Sequence, residues 1–240
     1  MDEGYTLKTI ARIHSDFPTK FGIPRQSGLV EQLLSTIVFE PEYRVPAALR
    51  GLEGFSHLWL IWQFSEAVRG SWRPTVRPPR LGGNTRMGVF ATRSPFRPNA
   101  LGLSCVKLEG ITQDAALGPV LTVAGADLMD GTPIFDLKPY LPYTDSRPGA
   151  AGGFAQPARA YALEVEFPER WLARVPQPLR APLTAVLAQD PRPSYQADPD
   201  RVYGFFFAGL EVKFTVQQGL LTVCGVAPSA PNAPAPQTLL

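Results

Sequence analysis

Histidine and cysteine are scarce, with two of each in 240 residues. Two Cys and two His do not make a zinc set, so no metal site is expected. Cys105 and Cys224 lie far apart in apolar, strand-like surroundings, and they read as reduced core thiols of a cytoplasmic protein. His57, in Phe-Ser-His-Leu-Trp, reads as a structural histidine of a core strand. No Ser-His-Asp pattern has plausible neighbours. Gly-x-Gly-x-x-Gly, the phosphate loop and strand–helix alternation are also missing, which argues against a doubly wound nucleotide fold. No stretch approaches the roughly 18 to 20 apolar residues that span a membrane. Met1-Asp2-Glu3-Gly4 is acidic and not followed by an apolar run, so a secretory signal is not expected. Net charge is only +2. That is too mild for a protein that coats nucleic acid, and it suits one that docks a single face.

The charge is unevenly spread. Between Ala67 and Lys107 there are seven arginines and no Asp or Glu. Five of them fall in two proline-braced stretches, Trp72-Arg73-Pro74-Thr75-Val76-Arg77-Pro78-Pro79-Arg80-Leu81-Gly82-Gly83-Asn84 and Gly88-Val89-Phe90-Ala91-Thr92-Arg93-Ser94-Pro95-Phe96-Arg97-Pro98-Asn99. Guanidinium groups make paired hydrogen bonds to carboxylate or phosphate. Proline-stiffened loops lose less entropy when they grip an anion. The expected partner is therefore anionic, with RNA foremost.

Short β-type runs recur between Gly and Pro: Thr6–Ile13, Leu33–Phe39, Phe55–Phe64, Met87–Thr92, Leu101–Leu108, Val120–Ala124 and Ile134–Leu137. They predict a mainly β chain, with an antiparallel β-barrel as the N-terminal domain over 1–145. Thr144–Gln156 reads as a flexible crossing. Beyond it, a strand over Arg159–Phe167, a helix over Pro178–Ala188 and a meander of strands over Tyr203–Phe207, Glu211–Val216 and Leu220–Cys224 predict a small α+β C-terminal subdomain over 157–226. Leu179, Leu183, Val186 and Leu187 share one face of that helix. The uncharged, Pro/Ala-rich segment 227–240 reads as a disordered tail.

A second constellation runs from Ala126 to Tyr140 and places Asp127, Asp130 and Asp136 around a Gly-Thr-Pro turn. Acids beside an arginine wall make a dipolar cleft, suited to a ligand that carries both signs. S-adenosylmethionine has that chemistry: an α-carboxylate for Arg, and an ammonium and ribose diol for carboxylates or carbonyls. Lys20-Phe21-Gly22-Ile23-Pro24-Arg25-Gln26-Ser27-Gly28 reads as a rigid loop presenting Arg25 and Gln26. Asp190-Pro191-Arg192-Pro193 stops the helix and presents Arg192 and Tyr195. Two other readings stay open at this point: a non-catalytic RNA-binding barrel, and a hydrolase or isomerase that clamps a small acidic metabolite.

Taken together, these motifs resemble the TrmO, or TsaA-like, family of S-adenosylmethionine-dependent tRNA methyltransferases. The likeness runs from the first strand to the last hairpin. The resemblance implies a cofactor-binding β-barrel, a homodimer, and methylation of N6 of threonylcarbamoyladenosine at tRNA position 37. Carried over by position, it implies cofactor contacts from Pro24, Arg25, Gln26, Arg93, Leu103, Asp127, Leu128, Met129 and Asp130. Bacterial members commonly have His-Gln where this chain has Ser65-Glu66, so contact from Ser65 and Glu66 is expected through backbone. The expected proton acceptor is a carboxylate of the Asp127, Asp130 and Asp136 group, Asp136 foremost, or else Tyr140 or Tyr143, Tyr143 foremost; an arginine of the Arg73–Arg97 set, Arg97 foremost, is the expected grip on the substrate carboxylate. Arg73, Arg77, Arg80, Arg86 and Arg192 are the expected RNA contacts.

Overall fold

A computed structural model describes residues 5–68, 71–78, 81, 84–155, 162–192 and 198–229. Arg80, Tyr195 and the tail from residue 230 onward lie outside the described residues. The first half contains β1 (Ala11–His14), β2 (Leu34–Phe39), β3 (His57–Gln63), the two-residue strands β4 (Thr75–Val76) and β5 (Met87–Gly88), β6 (Leu101–Asp114), β7 (Gly118–Ala124), β8 (Pro133–Pro139) and the single-turn α1 (Pro142–Asp145). The second half contains β9 (Glu164–Glu166), α2 (Glu169–Leu172), α3 (Gln177–Ala188), β10 (Tyr203–Phe207), β11 (Leu210–Gln217) and β12 (Leu220–Pro228).

Six strands close on themselves in the order β1-β2-β7-β6-β3-β8, and every neighbouring pair is antiparallel. Period-two alternation produces the closure: Leu58, Leu60 and Trp62 of β3 point inward and are buried, while His57, Trp59 and Ile61 between them are only half-buried. Trp62 fits because its β6 partner is Gly102; a Cβ at that position would lie 2.2 Å from the indole. Two expectations are corrected by this alternation. His57 sits on the outer face of its strand, its Nδ1 2.9 Å from Ser56 Oγ. Cys105 is half-buried and Cys224 exposed, so neither is a core thiol, although both are free.

The strand bounds also shift. β1 begins at Ala11, leaving Tyr5 and Leu7 exposed. The run expected as a strand over Met87–Thr92 stops after Gly88, where Val89–Ala91 turns into a 3-10 helix closed by Thr92 Oγ1 donating to the Val89 carbonyl at 2.8 Å. β6 runs on to Asp114, whose carboxylate accepts the Ala116 and Leu117 N–H groups and shapes the hairpin into β7. The crossing after β8 opens with α1. Of the strand expected over Arg159–Phe167, only Glu164–Glu166 is a strand, and residues 159–161 are outside the described part. Ala227 pairs with Glu211 in β12, so the expected tail begins two residues inside a strand.

The second sheet has the order β10-β11-β12-β9, with β9 parallel to β12. Its two hairpins turn on Ala208-Gly209 and Gln218-Gly219, where all four residues have positive φ. That is the two-residue turn whose twist matches paired strands. Leu183, Val186 and Leu187 of α3 pack on this sheet with Phe205, Phe207 and Phe214. Phe17, Val30 and Leu33, from the β1–β2 connection, belong to the same core. The connection is therefore stapled to the far sheet, and Ala208 N–H donates to the Asp16 carbonyl at 2.8 Å.

Candidate functional site

A cleft of about 1690 Å³ opens between the two halves. One wall is the β3–β6 connection, carrying Arg73, Arg77, Arg86, Arg93 and Arg97. The other is residues 20–26 with the end of α3, carrying Lys20, Arg25 and Arg192. Asp190 is the single acid among the lining residues, and it is bound to Arg192 at 2.7 and 2.8 Å. The described lining is therefore strongly cationic, although the whole chain is nearly neutral. Gly153 and Phe154, from the crossing, complete the lining.

The arginine wall is built from local bonds. Arg97 Nη1 donates to the Thr92 carbonyl at 3.3 Å, and Ser94 N–H and Phe96 N–H are taken up by the Thr92 and Ser94 hydroxyls. Arg86 donates to Thr75 Oγ1 across the β4–β5 ribbon. The opposite wall is built by distant packing. Phe21 and Ile23 pack on the second core, and Gly22, at φ +84°, lies so close to Phe205 that a Cβ would come within 2.2 Å of the ring. Pro24 is buried, Arg25 is exposed, and Arg25 donates to the Arg192 carbonyl at 3.4 Å.

The two walls meet at Gln26, whose side-chain oxygen accepts a hydrogen bond from Arg93 and whose amide donates to the Arg25 carbonyl. Behind them lies Asp127. The first half of β6 has β3 on one edge but lacks β7 on the other, since that pairing starts at Lys107. The 24–28 loop covers the gap: Cys105 N–H donates to Ser27 Oγ at 3.1 Å, and Gly28 N–H to the Gly125 carbonyl at 2.8 Å. Ser104 takes the Trp62 indole N–H at 3.0 Å and donates to Asp127. Burial raises the Asp127 carboxyl above its ordinary value, while Ser104, the N–H groups of Ser27 and Asp127, and the charge of Arg93 pull it back down. Arg93 and Asp127 thus lie on the same side of the molecule, Arg93 in the cleft and Asp127 just behind it.

The three acids of the second constellation are separated. Leu128 is buried in the ring core, and the segment from Asp127 to Gly131 carries the chain across to β1. There Asp130 accepts Ser15 N–H and lies 3.2 Å from His14 Nδ1. The Met129 carbonyl accepts Thr132 Oγ1. Asp136 stands on the outer face of β8, paired with Lys138 at 2.9 Å. In register it shares a row with Ile61 and Leu103, and Leu103 is 55% exposed. Tyr143 is 85% exposed on α1. Ser65 and Glu66 form an exposed 3-10 turn after β3. Asp130, Asp136, Tyr143, Ser65, Glu66 and Leu103 are not among the residues lining the cleft.

Ser104 is absent from the residues that the sequence singles out, and Lys20 and Ser27 appear there only as members of the loop, with no role of their own. Ser104 carried a signal: it is the polar residue at the inward parity of β6, between Gly102 and Val106. Ser27 carried none, because its partner is 78 positions away.

Comparison with known proteins agrees with this architecture. The family model for the tRNA-methyltransferase O N-terminal domain matches residues 12–146, and the TrmO C-terminal domain matches residues 160–229. The chain is 41% identical over 235 residues to the tRNA (adenine(37)-N6)-methyltransferase of Escherichia coli K12, covering 93% of this chain and 98% of that one. It is 42% identical over 215 residues to a putative S-adenosylmethionine-dependent methyltransferase, RcsF, of Pseudomonas aeruginosa, covering 87% and 91%. The crystal structure of TrmO from P. aeruginosa superposes with a TM-score of 0.78 at 34% identity, covering 95% of this chain and 99% of that one.

Proposed function

The chain belongs to the tRNA-methyltransferase O family and is a methyltransferase, and on that premise we propose that it methylates N6 of adenosine 37 of tRNA, using S-adenosylmethionine and favouring the threonylcarbamoylated base. The observation that carries the reading is the junction of Arg93, Gln26 and Asp127. It puts a guanidinium hydrogen-bonded to an amide within the electrostatic reach of a partly buried carboxylate, itself held by Ser104, at the edge of a cationic cleft.

The donor set fits the cofactor, because it offers a cation for a carboxylate and an anion for an ammonium or a diol at one place. Pro24, Arg25, Gln26, Arg93 and the Asp127–Asp130 segment would hold it, with Leu103 and the Ser65-Glu66 backbone as further contacts. When bound, S-adenosylmethionine supplies a sulfonium methyl whose leaving thioether departs neutral, so no residue has to protonate it. The chain must supply alignment and a proton acceptor at N6. N6 is a poor nucleophile, its lone pair being delocalised into the purine and a ureido carbonyl. Asp136, in the same outer row as Leu103, is the proposed acceptor, with Tyr143 as its alternative. A target base at that face would approach Leu103 from outside the ring.

Arg97 is the proposed partner of the threonylcarbamoyl carboxylate. A site built to pair a buried charge rejects the analogue that lacks it. Arg73, Arg77, Arg80, Arg86 and Arg192 are the proposed phosphate contacts, and tRNA places the work in the cytoplasm. We read the six-stranded ring as the cofactor-binding barrel domain (1–145) and the second sheet as a separate subdomain (157–226). A homodimer, which the family likeness implies, is part of the same proposal.

The test is mass spectrometry of nucleosides from tRNA incubated with purified protein and labelled cofactor. Label on N6-methylated threonylcarbamoyladenosine is expected, and equal methylation of unmodified tRNA would refute the proposed selectivity. Single-turnover rates of Asp136→Asn and Tyr143→Phe at saturating cofactor identify the acceptor: a variant with an unchanged rate is not it.

A further inference from the structure

We infer that Trp72 and Phe90 form a stacking ledge for a nucleobase flanking the methylated adenosine; this rests on the tRNA reading above. Trp72 is 50% exposed and Phe90 71% exposed, so neither ring is accounted for by the core. Their centroids are 6.0 Å apart with planes at 31°, which makes one continuous aromatic surface. Large aromatics left in water need a reason, and a contiguous pair is a stronger sign of a partner than a scattered one.

The ledge is held in place. Trp72 lies two residues before Pro74 and Phe90 one residue after Val89, and Val89 N–H donates to the Pro74 carbonyl at 2.9 Å. Val89 is buried and anchors the pair from below. The β4–β5 pairing and the Arg86–Thr75 bond hold the ribbon behind it.

The surroundings select the occupant. Trp72 lines the cleft, with Arg73, Arg77 and Arg86 beside it and no acid from this wall. Aromatic faces framed by arginines bind single-stranded nucleic acid, the rings stacking on bases and the guanidiniums on the backbone. The cleft volume of about 1690 Å³ exceeds the roughly 300–1,000 Å³ of a small-molecule site, so more than one residue of the RNA has room. Presenting an exocyclic amine for chemistry takes a base out of its stack, at a cost in stacking energy. A protein ring that replaces the lost stacking on the neighbouring base offsets that cost.

The experiment uses full-length protein and an anticodon stem-loop RNA carrying 2-aminopurine in turn on either side of the target adenosine. Wild-type protein is expected to quench one of the two probes. Trp72→Ala should abolish that quenching and weaken RNA binding about 10- to 100-fold, with S-adenosylmethionine affinity and melting temperature unchanged. Phe90→Ala should do the same to a smaller extent, and Trp72→Phe should restore both signals. Trp72→Ala that binds and quenches like wild type overturns the inference while leaving the tRNA reading intact. A change only in oligomeric state, with RNA affinity per protomer unchanged, also overturns it. Wild-type protein that neither binds nor methylates any tRNA overturns the parent reading and this inference together.

Discussion

The two walls of the cleft reach similar chemistry by opposite means. The arginine wall, residues 71–98, is framed by prolines and by hydrogen bonds between residues two to fifteen apart, and most of its described side chains are exposed. The facing wall, residues 20–26, has few local bonds. Its shape comes from Phe17, Phe21 and Ile23 packing on a sheet almost 200 residues further along the chain. A locally framed wall should tolerate substitution without loss of stability. A wall shaped by distant packing should lose binding and stability together.

The largest effect is expected at Phe17, which is 1% exposed and packs edge-to-face on Phe207 at 5.4 Å. Phe17→Ala should cost about 3–5 kcal/mol in urea unfolding, and S-adenosylmethionine binding should weaken with it. Retained cofactor affinity in the destabilised variant, measured where it is still folded, would break the comparison. Gly22→Ala forces a methyl against Phe205 at a positive φ. A loss of about 1–3 kcal/mol is expected, with weaker cofactor binding in calorimetry although residue 22 offers no side chain to the ligand.

Asp127 sharpens the contrast where the walls meet. Its carboxyl is raised above its ordinary 3.8, chiefly by burial. A value raised in the folded state means that the stability contributed by the protonated form is complete below the unfolded value and is lost as pH rises through the folded value. Asp127→Asn carries no charge at any pH. Its melting temperature should therefore gain on wild type as pH rises through that window, and the gap should close below the unfolded value. Cofactor affinity should be lost throughout. A gap that is flat with pH would mean that burial does not perturb this carboxyl.

The smallest stability effect is expected on the arginine wall. Arg77→Ala should change stability by no more than about 0.5 kcal/mol, while the slope of log affinity for tRNA against log salt falls by about 0.7–0.9. An unchanged slope would remove Arg77 from the phosphate contacts.

Much of the fold was legible because strand alternation and turn residues are local signals. β10 matches its expected bounds, and α3 buries Leu183, Val186 and Leu187 as its periodicity predicts. The errors came where alternation was present but its phase was not read. Cys105 and His57 sit in strands and face outward, and a composition-based reading of "apolar context" does not distinguish the two faces. Met87–Thr92 failed for another reason: the Thr92 hydroxyl competes for backbone carbonyls and closes a turn. At the site, the arginine loops are visible as a charge bias, whereas acids that the chain places within ten residues of one another occupy three separate environments.

The arginine wall, the hairpins and the family likeness are written in the chain locally, because each rests on residues close together or on a motif read in order. Which aspartate stands beside Arg93, that Ser104 and Ser27 support it, and that Phe17 fastens the loop of Arg25 to the second sheet emerge with folding. Those contacts join residues far apart in the chain. Packing and hydrogen-bond satisfaction choose among such pairs only once the ring has closed and the second sheet has docked, and no local pattern encodes that choice.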